Sequence, residues 1–195
     1  METMEKEMTG EESLKIISEM INKTKLNINQ GSFHLLFWGW LILACSLSEY
    51  LLYKLTDFAS PWYVWLFVIP GVFVSMIYGY INGRKARVYT YADKLYVWTW
   101  MAFFFASVTL FIVTSDDMGS VGPYILTLAG IPTFISGVII KFRPLLIGAV
   151  TFWLLAVIGH FAGPSVAPLT VPIAMLTGYL IPGYMLKRKV DHDEV

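Results

Sequence analysis

Glu49 is a carboxylate set in an apolar stretch, Phe33–Tyr53. An ionisable group inside a membrane-spanning segment costs several kcal/mol and marks a functional site by default. His160 and Thr109 stand in two other apolar stretches. With spans entering near Leu35, Leu95 and Leu145, the helical rise places Glu49, Thr109 and His160 about 21–22 Å into a core of about 30 Å. Pro70, Pro132 and Pro172 come down from the opposite boundary to similar levels, and each removes one backbone hydrogen bond and frees a carbonyl. A carboxylate, an imidazole, a hydroxyl and three loosened backbones in one layer would suit binding of a small molecule or an ion near the outer face. The expectation is that Glu49 points into the bundle, within reach of His160 or a proline-freed backbone group.

Other chemistries find less support. His34, His160 and His192 are too dispersed for a multi-histidine metal cluster, and neither a metal nor a cofactor is expected. No Gly-x-x-x-x-Gly-Lys phosphate loop occurs. Ser/His/Asp catalysis would need a buried aspartate, and none falls in an apolar stretch. An enzyme is therefore not expected. Arg84, Lys85 and Arg87 resemble a phosphate grip but lie in a loop that should be basic anyway, so contact with anionic lipid is the reading there.

The elements that position these residues are membrane helices. Of 195 residues, 56% are hydrophobic and only 14% charged, against roughly a quarter charged in a soluble domain. Mean hydropathy is +0.62, and the apolar runs are continuous rather than alternating, which excludes a β-barrel pattern. Net charge is zero, so nothing points to nucleic acid. The single cysteine, Cys45, excludes an intramolecular disulfide. Residues 1–8 are acidic and precede no early apolar run, so insertion is expected to be signalled by the first span.

Six spans are predicted: Phe33–Tyr53, Trp62–Ile81, Leu95–Thr114, Pro123–Ile140, Pro144–Phe161 and Pro168–Leu186. Trp62, Tyr63, Tyr89, Tyr91, Tyr96 and Trp98 sit where an interfacial aromatic belt belongs. Short connections make sequential helices antiparallel neighbours. Ahead of the first span, Thr9 and Glu12 fit a capping box, and Leu14, Ile17, Ile21 and Ile28 recur at helical spacing opposite Lys15, Glu19, Lys23 and Lys25. This reads as an amphipathic helix on the membrane surface or against the inner mouth of the bundle. The organisation is a cytoplasmic N-terminal segment (1–30), a six-helix bundle (31–189) and a cytoplasmic tail (190–195).

Charge sets the orientation. Of 14 Lys and Arg, all but Lys54 fall on one side of a six-span topology, while Asp57, Asp116 and Asp117 fall on the other. By the positive-inside rule both termini are cytoplasmic and the membrane is the inner one. The even spans carry a proline and small residues every four positions: Gly71, Ser75 and Gly79; Ala129, Thr133 and Gly137; Ala174 and Gly178. Small residues let helices approach closely, so the even spans should make the tightest contacts. The odd spans carry bulk at Trp38-Gly39-Trp40, Trp98-Thr99-Trp100 and Phe152-Trp153, and the alternation reads as three tandem αα-hairpins. Repeats of this kind often hold a site at their interface.

The amphipathic segment, the opening Phe33-His34-Leu35-Leu36-Phe37-Trp38-Gly39-Trp40 and the closing Tyr179-Leu180-Ile181-Pro182-Gly183-Tyr184-Met185-Leu186-Lys187-Arg188-Lys189 resemble a loose group of uncharacterised small bacterial multi-pass membrane proteins. The resemblance covers most of the chain and implies no particular activity or site residues. Two functions follow from the residues. One is binding or transport of a small molecule or ion at the Glu49 layer. The other is a non-catalytic partner or regulatory subunit working through the amphipathic helix, with a protein partner or a second copy of the chain. A wet cavity lined by Glu49 would mark the first, and a dry, filled bundle with an exposed apolar helix face the second.

Overall fold

The computed structural model describes residues 10–56, 60–83, 91–114 and 121–192, and every regular element among them is helical. In lipid a helix satisfies its own backbone groups, which is why apolar runs of this length take that form. The elements are α1 (Gly10–Leu55), a 3-10 segment (Pro61–Phe67), α2 (Val68–Gly83), α3 (Tyr91–Val113), α4 (Val121–Ile140), α5 (Arg143–Phe161), α6 (Gly163–Met175), a π segment (Leu176–Leu180) and α7 (Ile181–His192). Six stretches are long and apolar enough to span a membrane: Gly31–Leu55, Pro61–Ile81, Tyr91–Val113, Val121–Ile140, Arg143–Phe161 and Val166–Lys189. They agree with the six predicted spans to within a few residues.

The core lies among α1, α4, α5 and the sixth span. Phe152, Leu126, Leu145 and Leu186 are fully enclosed there, with Thr133, Thr170, Pro132 and Pro182. α4 packs on α5 along its length, and α6 packs on α5, α4 and α1. The α4–α5 turn is tight because α4 ends in a Schellman motif. The Phe142 N–H donates to the Gly137 carbonyl (2.9 Å) and the Lys141 N–H to that of Val138 (3.2 Å). Lys141 takes the left-handed conformation (φ 55°) usually left to glycine, and Pro144 opens α5. At the α5–α6 turn that conformation falls on Gly163.

Backbones approach most closely where α5 meets the π segment. A Cβ on Gly148 would sit 2.8 Å from the Cα and carbonyl oxygen of Gly178, and one on Gly178 would collide with the Phe152 ring. The π register has a local cause. The Ile181 N–H reaches back five residues to the Leu176 carbonyl, and Pro182, next in line, has no N–H to continue a regular ladder.

Three expectations are corrected. The first concerns the amphipathic segment, which is not a separate helix: α1 runs unbroken for 46 residues from Gly10 into the first span. Its capping residue Thr9 and its side-chain faces lie outside the described residues. The second concerns the small-residue ladder of span two. Gly71 packs on Leu41 of α1, but Gly79 has nothing within 4 Å. The tightest contacts therefore involve α4, α5 and the sixth span rather than every even span. The third concerns neighbours. α2 packs on α1 and α3 packs on α4, so these two consecutive helices each take a different partner. Among the described residues only Gly71 of α2 and Ser107 of α3 are buried. Trp62, Tyr63, Tyr91 and Trp98 are exposed, as a belt requires. Tyr96 instead turns toward Trp100, with ring centroids 6.2 Å apart, and Tyr89 lies outside the described residues.

Candidate functional site

The proposed layer is divided among three parts of the bundle. Glu49, half-buried on α1, accepts a hydrogen bond from the Trp65 indole N–H at 2.8 Å. One turn earlier, the Cys45 thiol donates to the Val64 carbonyl at 3.4 Å. Both contacts tie α1 to the 3-10 segment that opens span two. This segment is long for its type, since 3-10 runs beyond three or four residues are uncommon. Its weaker internal bonding is compensated by Glu49 and Cys45 on the facing helix.

His160 stands elsewhere. It is exposed near the end of α5, lies edge-on to Phe161 (4.9 Å between centroids), and lines a shallow groove of about 250 Å³ with Pro123, Tyr124, Thr127 and Ala156. The helix packed along α5 here is α4, whereas α1 packs on α2, the 3-10 segment, the sixth span and α7. Glu49 thus takes its hydrogen bond from Trp65 and not from His160. Thr109 is exposed on α3, and its hydroxyl donates back to the Phe105 carbonyl at 2.9 Å. Of the three prolines, Pro70 is exposed at the start of α2, while Pro132 and Pro172 are buried in the core. Arg84, Lys85 and Arg87 lie outside the described residues. Among the described residues no group of three or more His, Cys, Asp or Glu side chains could hold a metal ion.

Trp65 was not singled out from the sequence, yet a signal for it exists. Glu49 and Trp65 are 16 positions apart, on either side of the connection between the first two spans, so an antiparallel hairpin sets them at one level.

The same register logic reveals a set of cross-helix bonds. In the first hairpin the Trp38 indole donates to the Ser75 hydroxyl (3.3 Å), and in the second the Trp100 indole donates to the Ser136 hydroxyl (3.2 Å). Pairing separations are 37 and 36 residues. Trp38 and Trp100 are 62 positions apart, as are Pro61 and Pro123, and Pro70 and Pro132. The first two hairpins are therefore a tandem pair joined internally by the same bond. The third hairpin differs, with Thr151 and Thr177 hydroxyls 3.3 Å apart in place of an indole pair. In the core, the Tyr179 hydroxyl of the π segment meets that of Thr133 beside Pro132 at 3.3 Å, and its ring packs on Phe152. These contacts are structural: they close polar groups among themselves, and no buried side-chain polar atom among the described residues lacks a partner.

Set against known protein families, curated proteins and solved structures, the chain matches none of them.

Proposed function

We propose that this chain is a non-catalytic subunit of a bacterial inner membrane, with both termini in the cytoplasm, that works through lateral contacts of α2 and α3 with another membrane-embedded helical protein. One observation carries the reading. Among the described residues α2 packs mainly on α1 and α3 mainly on α4, whereas the interior among α1, α4, α5 and the sixth span is filled with side chains. Helix association in lipid is driven by packing, so helices held by one neighbour have faces available for a second. The orientation is supported by the exposed cations Lys94, Lys141, Arg143 and Lys187, which stand at helix ends that alternate to one side of a six-span bundle.

Photo-crosslinking side chains placed at Ile77 on α2 and Phe105 on α3, with Val157 on α5 as control, test this in native membranes. All three positions are exposed. The expected result is a discrete protein adduct from Ile77 and Phe105 and lipid adducts alone from Val157. An adduct of twice the 22.1 kDa chain identifies a second copy, and any other mass a different subunit. Lipid adducts alone from all three positions would overturn the reading.

A second reading, binding of a small molecule or ion near the outer face, draws support from the half-buried Glu49 carboxylate. Loss of binding in Glu49→Gln, with the bundle still folded, is its test.

A further inference from the structure

A groove of about 590 Å³ runs over the face of α1 between α2 and α7. We propose that it holds one acyl chain of an anionic phospholipid, with the headgroup phosphate on Lys187.

Four observations support this. The first is length. The floor runs along α1 from Ser32 to Leu41, about 14 Å by helical rise, close to the roughly 15 Å depth of one leaflet. The second is placement. Ser32 and Lys187 mark the end at the membrane boundary, and Leu41 marks the end toward the midplane. A lipid of that leaflet enters chain-first without leaving its own layer. The third is the construction of the walls. The Phe33 and Tyr78 rings stack at 3.7 Å and hold α2 to one side of the floor. The Trp40 indole donates to the Tyr184 hydroxyl at 3.2 Å and holds α7 to the other. Leu36 and Phe37 give the floor between them an apolar surface. The fourth is charge. Lys187, exposed at the mouth, is the one charged residue among the described residues lining the groove, and none of them is a carboxylate. A basic pocket between membrane helices at the headgroup level is the recurrent form of anionic-lipid recognition. The groove fits a lipid of whichever leaflet this end faces, and its occupancy does not depend on the lateral contacts of α2 and α3.

The test reconstitutes the full chain in vesicles of equal phosphatidylglycerol and phosphatidylcholine, extracts it in mild detergent, and counts retained lipids by mass spectrometry. The expected result for the parent chain is retained lipid enriched in phosphatidylglycerol. Lys187→Gln should lower that enrichment by roughly five-fold, the weight of one cation near a headgroup, and Lys187→Arg should keep it. Leu36→Trp, which fills the groove, should reduce retained lipid of both kinds. Inorganic phosphate added at extraction should displace nothing. Equal retention of the two lipids by the parent chain would overturn the proposal, as would unchanged enrichment in Lys187→Gln or displacement by phosphate. Lys187 is exposed, so its variants decide the question even if Leu36→Trp does not fold.

Discussion

The first two hairpins share an indole-to-serine bond, a proline spacing and a repeat of 62 residues, yet they attach to the bundle in opposite ways. In the first, the odd helix α1 joins the core and the even helix α2 hangs outside. In the second, the even helix α4 joins the core and the odd helix α3 hangs outside. The bond that closes each hairpin is thus separate from the surface that docks it. Docking follows the small residues that have something to accommodate. Gly39 of α1 lies against Tyr179 and Leu180, and Gly137 of α4 lies against Leu146. Gly79 of α2 meets nothing.

The largest test of this contrast is overpacking on the docking side. Gly39→Leu and Gly137→Leu should each destabilise the folded bundle by about 3 kcal/mol, because a Cβ already falls 2.8 Å from Leu180 and Leu146 respectively. Gly79→Leu should stay within about 0.5 kcal/mol. Unfolding in mixed micelles measures all three, and a Gly79→Leu cost equal to the others would erase the contrast.

Next in size is the shared bond. Ser136 is buried and Ser75 only half-buried. Ser136→Ala should cost about 1–2 kcal/mol, because it removes a buried hydroxyl that accepts from the Trp100 N–H. Ser75→Ala should cost about 0.6 kcal/mol, near the average for such bonds in membranes. The reverse order would mean that the first hairpin, not the second, depends more on its bond.

A third test isolates a feature of the first hairpin. Trp65→Phe removes the donor to Glu49 and should cost about 1 kcal/mol. Hydrogen exchange should rise over Pro61–Phe67 and stay unchanged in α4 and α5. Glu49→Gln keeps an acceptor and should leave exchange there nearly unaltered. Equal loosening by both substitutions would remove the indole–carboxylate bond as its cause.

The last effect is a gain. Lys141 is a non-glycine residue in the left-handed conformation, so Lys141→Gly should stabilise the α4–α5 turn by up to about 1 kcal/mol. No gain in thermal unfolding would show that the Lys141 side chain offsets the strain.

The spans and their limits were legible because a hydrocarbon layer demands long apolar runs, and runs such as Trp62–Ile81 and Pro144–Phe161 announce themselves. Which face of a helix meets protein was not legible. In lipid both faces are apolar, so hydropathy cannot separate burial in a neighbour from exposure to acyl chains. Gly71 and Gly79 are identical by pattern, and only the first packs. The contacts of Glu49 were not legible for a related reason. Equal depth along two helix axes does not make α1 and α5 neighbours. The partner that Glu49 does have lies across its own hairpin, where connectivity and not depth decides.

The unbroken course of α1 has a mechanical consequence. At about 1.5 Å per residue its 46 residues make a rod of about 69 Å, of which about 31 Å extends beyond the span on the N-terminal side. Such a rod is a lever with its fulcrum in the bundle. Pivoting about the buried Leu43, a tilt of about 10° moves the free end by about 9 Å and the Glu49 end by about 2 Å. Whatever grips residues 10–30 would therefore act on the 3-10 segment with mechanical advantage, trading a large displacement at one surface for a small, forceful one at the other.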